Sequence, residues 1–341
     1  MHRIPAIDLF RGLAILLMVL ANYLAGPEVV PAWLKHAPDA GLTVIDLIAP
    51  FFIFAIGLTY GLSARRRISR DGWGAAGRHF VIRYLALIGL GCLLSTAEIF
   101  FGLNPSGVNW GVLQAIGVAG LVTLPFIRLP GWARAALGLA LLAGYQAALE
   151  AGLRPVVLGM PHGGLPGAIA WSAMLLLSTA LADLVHGDGK PRMTWFWGAS
   201  AAALALGLAL AGLGVVVSKN RVSASYVLVS LGLSGLLFGV VAAWVNRAGA
   251  KESSAGLSLQ PAKSAVSNGL FSKGSALLAA WGSNPLLLYL LHQLGLGFFY
   301  LPPFPAWYEL APAWLVACQA AALVAALSWA AWRLRGARFI F

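Results

Sequence analysis

Two histidines, two carboxylates, one arginine and three side-chain amides stand in or beside segments that are otherwise strongly apolar: His36, His292, Asp8, Asp46, Arg11, Asn22, Gln114 and Asn284. Groups of this kind cost free energy inside a lipid bilayer, so each is a candidate for function. His36 follows an apolar run and precedes a helix expected to start near Thr43. An imidazole there can take a proton from an amine or a hydroxyl near neutral pH. Asp46, ten residues on, is of the right type to orient that ring, although spacing alone does not place them in contact. The plain alternative for a single loop histidine is an exposed side chain. Asp8 and Arg11 are three residues apart and share a helix face, which suits either an entrance to a polar path or an ion pair that pins the helix end. Asn22 lies about three turns, roughly 16 Å, above Arg11 on that same face. Asn284 and His292 are eight apart and can both face inward. His292 reads equally well as a buried histidine bonded to a neighbouring helix.

The elements that must position these groups follow from composition. Of 341 residues, 60% are hydrophobic and only 10% charged, and the mean hydropathy is +0.83. Soluble domains carry roughly 25% charged residues, so the solvent for most of this surface is lipid. Ten stretches reach the roughly 20 apolar residues of a spanning helix, near 9–27, 43–63, 80–100, 109–127, 132–152, 165–186, 194–215, 223–245, 275–298 and 312–333. Backbone groups in lipid must be satisfied within the segment, and no alternating strand pattern appears. The expectation is an all-α, polytopic membrane protein of about ten transmembrane helices, forming one domain over 1–341. The first apolar run is expected to be a retained helix, since it ends in Asn22-Tyr23 without a small-residue cleavage pattern.

Charge sets the expected orientation. With the N-terminus in the cytoplasm, inside loops collect Arg3, the cluster Arg65, Arg66, Arg67, Arg70, Arg78 and Arg83, then Arg128, Arg134, Lys190, Arg192, Arg247, Lys251, Lys263, Lys273, Arg333, Arg335 and Arg338. Outside loops hold only Lys35, Arg154, Lys219 and Arg221. This is the positive-inside pattern, with both termini cytoplasmic and His36 outside. The formal net charge of +12 is therefore read as topology, with no nucleic-acid partner. Residues 248–272 are rich in Ser, Ala, Gly and Lys and read as a flexible cytoplasmic linker. Cys92 and Cys318 are expected to be packed thiols, and no metal-type spacing occurs. His2, His79 and His186 are expected to be solvated at the cytoplasmic face, with Asp183 capping a helix end. Trp171 and the Trp307-Tyr308 pair are expected to anchor at the membrane interface.

Several blocks of sequence resemble the heparan-α-glucosaminide N-acetyltransferase family. They are Ile7-Asp8-Leu9-Phe10-Arg11-Gly12, Met18-Val19-Leu20-Ala21-Asn22-Tyr23, Leu34-Lys35-His36-Ala37, and Gly41-Leu42-Thr43-Val44-Ile45-Asp46 running on to Gly57. Later blocks are Gly111-Val112-Leu113-Gln114, Lys219-Asn220-Arg221 with Ser225-Tyr226, and Gly282-Ser283-Asn284 with Tyr289 and His292. The resemblance implies a membrane enzyme that moves an acetyl group from cytoplasmic acetyl-CoA to an amino sugar across the membrane. It matches the family's functional histidine to His36 and its functional asparagine to Asn22. A related group of sugar O-acylating membrane enzymes also opens with Asp, Arg and Gly, but carries histidine where this chain has Asn22. At the outer mouth of the sixth span, Pro161-His162-Gly163-Gly164-Leu165 departs from the acidic residue expected before Gly-Leu.

On this resemblance the donor is acyl-CoA and the acceptor an amino sugar or other glycan. The setting is a bacterial inner membrane, and a homodimer is compatible. His36, Asn22 and Asp46 are the expected catalytic group; Asp8, Arg11, Gln114, Asn284 and His292 are the expected substrate-binding group, lining a seam for the pantetheine arm. Asn22 or Asn284 would stabilise the tetrahedral oxyanion. Both direct transfer and an acyl-histidine intermediate are open, direct transfer being simpler. The rival reading is a proton-coupled transporter using Asp46 and His292, against which the chain shows no internal repeat.

Overall fold

The computed structural model describes residues 4–100, 109–186, 191–254 and 273–335. Most of the expected linker, residues 255–272, lies outside them. In chain order the helices are α1 (Pro5–Leu24), α2 (Ile48–Phe100), α3 (Val112–Thr123), α4 (Gly131–Ala148), α5 (Arg154–Leu158), α6 (Gly164–His186), α7 (Met193–Gly212), α8 (Ala224–Ser254), α9 (Lys273–Ser283), α10 (Pro285–Tyr300) and α11 (Ala313–Leu334). No strand occurs among the described residues. The protein is all-α and multi-pass. Seven of its helices are long and apolar enough to cross a membrane, or eight if the bent pair α9–α10 counts as one.

The expected ten stretches map onto these helices unevenly. Stretches 43–63 and 80–100 fall in one 53-residue run, α2, interrupted only at Gly72 (φ 78°, ψ 167°). That left-handed φ is open to glycine at little steric cost. Stretch 109–127 is a 12-residue α-helix closed by a short 3-10 turn. Stretch 275–298 is two helices bent by 93°. The break follows from Asn284-Pro285. A residue before proline is pushed out of the helical region, and Asn284 indeed has φ −134° and ψ 61°. Pro285 then starts the next helix, where its missing N–H costs nothing.

The chain forms two compact units. The first comprises residues 1–36, 43–48 and 237–341. Its core is the inner face of α1, with Ile7, Phe10, Ile15, Val19 and Tyr23 buried, and Phe10 edge-on to Phe238. α1 and α9 touch backbone to backbone: a Cβ on Gly12 would stand 1.9 Å from the Leu278 carbonyl oxygen, and one on Gly282 would stand 1.8 Å from that of Asp8. Lipid supplies no hydrophobic drive between helices, so close backbone approach through small residues is how such contacts are won. Trp281, fully buried, donates its indole N–H to Ser328 of α11.

The second unit comprises residues 37–42 and 49–236. α6 is its centre, buried along most of its length and packed by α3 and α4. Gly57 sits against Ser178 and Gly138 against Leu177. Ser172 and Ser178 return their hydroxyls to carbonyls one turn back, which gives each of the two donors a partner in the apolar interior. Trp171 belongs to this core and is no interface anchor: it is 1% exposed, edge-on to Tyr226, with its N–H on the His162 carbonyl. Cys92 and Cys318, expected to be packed, are exposed on the protein surface.

Candidate active site

The first unit holds most of the chemistry-bearing residues. After α1 the chain runs through Pro27, Pro31 and a 3-10 turn over Ala32–Leu34, then enters a second such turn over Ile45–Leu47 that packs on α1. Thr43 and Asp46 build that turn in the manner of a capping box. Asp46 Oδ2 accepts from both the Thr43 N–H and the Thr43 hydroxyl, each at 3.0 Å. Its other oxygen, Oδ1, lies 2.8 Å from His36 Nδ1. Asp46 is fully buried, while the His36 side chain is 43% exposed.

This geometry fixes the working tautomer. A carboxylate only accepts hydrogen bonds, so Nδ1 carries the proton it donates to Asp46. In the neutral ring Nε2 is then the basic nitrogen. A base held by a buried carboxylate, on a side chain that is 43% exposed, is an arrangement suited to general-base catalysis.

The same unit carries a second pair, at the C-terminal end of α1. Asn22 Nδ2 lies 2.9 Å from Nε2 of His292 on α10. His292 Nδ1 bonds the Tyr289 carbonyl, which can only accept, so Nδ1 again holds the proton and Nε2 accepts from the Asn22 amide. His292 is fully buried with both nitrogens engaged, and it holds the Asn22 amide. Around the pair, two tyrosine hydroxyls meet the orphan carbonyls at the end of α1: Tyr300 donates to Asn22 at 3.0 Å and Tyr308 to Tyr23 at 2.6 Å. Tyr23 donates in turn to Gln319, whose amide holds the Trp307 carbonyl. Tyr308 is thus an internal clamp, not an interface anchor.

The other end of α1 holds Asp8 and Arg11, whose side chains approach to 4.0 Å. Asn284 belongs to this end through its neighbour Gly282, and its amide caps the last carbonyl of α11, Leu334, at 2.9 Å. Asn284 is therefore a helix cap, about 12 Å along α10 from His292. Gln114 lies in the second unit. Its carbonyl accepts from the Gly111 N–H and its amide donates to the Asn109 carbonyl, so it caps the start of α3. The structure thus brings together His36 with Asp46 and Asn22 with His292, and gives Asn284 and Gln114 capping bonds. The partners that sequence reasoning missed are Thr43, Tyr300 and Tyr308. Thr43-x-x-Asp46 carried a capping signal; the tyrosines, some 280 residues from what they cap, carried none.

Residues 3–163 match the family model described as heparan-alpha-glucosaminide N-acetyltransferase, catalytic. Over this region the chain is similar to that family. The human protein named heparan-alpha-glucosaminide N-acetyltransferase is 33% identical over 132 residues, and the mouse protein of that name is 34% identical over 125. Each alignment covers 34% of this chain and 18% of the relative. The N-acetyltransferase match includes α1 and the loop with His36 and Asp46, and it stops before α10. Hence Asn22 lies within the matched region, while its partner His292 lies outside it.

Proposed function

We propose that this protein is a membrane acetyltransferase that moves an acetyl group from cytoplasmic acetyl-CoA to an amino sugar or another glycan acceptor on the periplasmic side of a bacterial inner membrane. The observation that carries the reading is the bond between His36 Nδ1 and the buried Asp46, inside the region that matches a catalytic family model. His36 Nε2 takes a proton from the acceptor amine or hydroxyl as that atom attacks the thioester carbon. The new N–C or O–C bond forms, the C–S bond breaks, and the proton passes from the imidazole to the departing CoA thiolate. One hydrogen of the Asn22 amide is committed to His292. The other is the donor for the tetrahedral oxyanion. The positive-inside pattern supports His36 on the outer side, where the acceptor arrives.

The test is transfer of labelled acetyl from acetyl-CoA to glucosamine by the full-length protein in detergent. Turnover without a sealed compartment, lost in His36→Ala, is the expected result. Activity that persists in His36→Ala overturns the assignment of the base. Labelled acetyl retained on the protein when no acceptor is present, and absent from His36→Ala, replaces direct transfer with an acyl-histidine intermediate.

A further inference from the structure

Within the second unit, the last turn of α6, the first turn of α4 and the basic run of α2 meet at one cluster, with Arg134 buried and Arg65 part-exposed. Asp183 of α6 accepts from Arg65 Nη1 at 3.1 Å and from Arg134 Nη2. Glycine makes the approach possible: a Cβ on Gly131 would stand 3.3 Å from Asp183 Oδ2. Arg134 is only 1% exposed. Its Nε donates to the Leu129 carbonyl at 3.0 Å, while its Nη1 is buried with no hydrogen-bond partner among the described residues. His186 lies one turn beyond Asp183 on the same face of α6. It was expected to be solvated, yet its Nε2 is also buried and unpartnered among the described residues. Arg65 and Asp183 act electrostatically on both Arg134 and His186, so the four groups form one neighbourhood.

The charges do not close. Among the described residues two arginines share one aspartate, Arg65 with 45% of its side chain exposed, and a buried guanidinium N–H of Arg134 and the buried Nε2 of His186 are left unmet. Burying an unpaired charged donor is costly. An anion with at least two acceptor oxygens would meet the unpartnered donor of Arg134 and a protonated His186 Nε2. Guanidinium forks fit oxyanions of this shape, and the adjacent run Arg65-Arg66-Arg67 with Arg70 would draw a multiply charged one.

We infer that Arg134, Arg65 and His186, with Asp183 as the shared brace, form a binding site for a phosphate group. The group is supplied either by an anionic phospholipid headgroup or by the nucleotide end of coenzyme A. The observations behind it are unmet donors in the second unit; its coenzyme A branch rests on the acetyl-transfer reading, and its phospholipid branch does not.

The experiment uses the full-length protein in dodecyl maltoside, which carries no phosphate. Its thermal midpoint is followed as CoA, or phosphatidylglycerol in mixed micelles, is added. A ligand that binds only the folded state raises the midpoint with concentration. The expected result is that one of these probes does so, and that its half-saturating concentration rises about tenfold or more in Arg65→Gln and in His186→Gln, about 1.4 kcal/mol. The probe that works names the source. If it is CoA, the KM for acetyl-CoA rises in the same variants with kcat unchanged; if it is phosphatidylglycerol, KM does not move. Arg134→Gln should abolish the effect, and the other two variants decide the matter if that one does not fold. Arg128→Gln removes a neighbouring cation, which lies over the Trp73 ring, without touching the cluster. An equal loss in Arg128→Gln overturns the inference, and so does a midpoint that neither probe raises or that rises alike in wild type and variants. A protein that binds phosphate this way but transfers no acetyl would sink only the proposed function.

Discussion

The difference between His36 and His292 lies in what each ring nitrogen meets. His36 spends Nδ1 on a buried carboxylate and stays 43% exposed. His292 spends both nitrogens inside the protein. His36→Ala should therefore cut acetyl transfer by about 10²- to 10⁴-fold, the usual range for loss of a general base. Asp46→Asn removes a charge-assisted bond of about 1.5–3 kcal/mol, so turnover should fall about 10- to 100-fold. As Asp46 is a positioning residue, that loss should appear in kcat while the KM for acetyl-CoA holds. His292→Phe strands the Asn22 amide. Thermal unfolding in detergent should show a loss of about 1–3 kcal/mol, and turnover should follow. At this scale the sequence offered the right residue types but not their pairing. His36 and Asp46 stood ten apart across an irregular loop, and only coordinates close that gap. Asn22 and His292 are 270 residues apart, and no local pattern connects them. His186 and Asp183 looked like a solvated helix end because hydropathy does not report which nitrogen is buried.

Elements meet here through glycine, and the glycines sort into those that touch and those that do not. Gly12→Ala and Gly282→Ala each drive a methyl group to within 2 Å of an opposing backbone oxygen, which cannot rotate away. Both should unfold the α1–α9 pair or sharply lower folded yield in fluorescence-detected size exclusion. Gly74→Ala and Gly77→Ala meet nothing within 4 Å and should stay within about 0.5–1 kcal/mol of the wild type. These roles could not be read from composition, since all four glycines lie in helical sequence. The Asn284-Pro285 break was legible as a breaker dipeptide, but a hydropathy window runs straight across it. The loop at 37–42 is strapped to the loop before α8 within the second unit. Asp39 accepts from Arg221 Nε at 3.0 and 3.1 Å and from Ser218 at 2.7 Å, and the Gly41 N–H bonds the Val217 carbonyl. The Arg221 guanidinium holds the Asp39 carboxyl below the usual carboxylate range. A carboxyl depressed in the folded state stabilises above its unfolded value, about 3.9, and the gain is lost as pH falls through the folded value. The gap in thermal midpoint between wild type and Arg221→Gln should therefore be flat from pH 5 to 8 and shrink only below about pH 4. A gap that closes between pH 7 and 5 would point to another group.

For the whole molecule, the lipid solvent and the helical class were plain from a chain that is 10% charged. The number of crossings was not, because length and hydropathy meet a helix that breaks without losing its apolar character. α2 has 53 residues, about 80 Å if straight, against a hydrocarbon core of about 30 Å. A straight α2 would cross once and project far from the membrane; an α2 that turns back at Gly72 crosses twice. The basic run Arg65–Arg70 lies just before that glycine, and the positive-inside rule puts such a run at a cytoplasmic turn. Two crossings return the chain to the side it left. In a background with Cys92 and Cys318 replaced by serine, single cysteines at Lys35, Arg67, Arg78 and Ser106 separate the two arrangements. If α2 crosses twice, a membrane-impermeant maleimide added to intact cells labels Lys35→Cys and Ser106→Cys, and spares Arg67→Cys and Arg78→Cys until the cells are lysed. If it crosses once, positions 35 and 106 fall on opposite sides and only one of them labels. The result reaches beyond topology, because acetyl-CoA is made in the cytoplasm and is too polar to cross lipid unaided. A base at position 36 that labels only after lysis would share a compartment with its donor, and no transfer across the membrane would remain to explain.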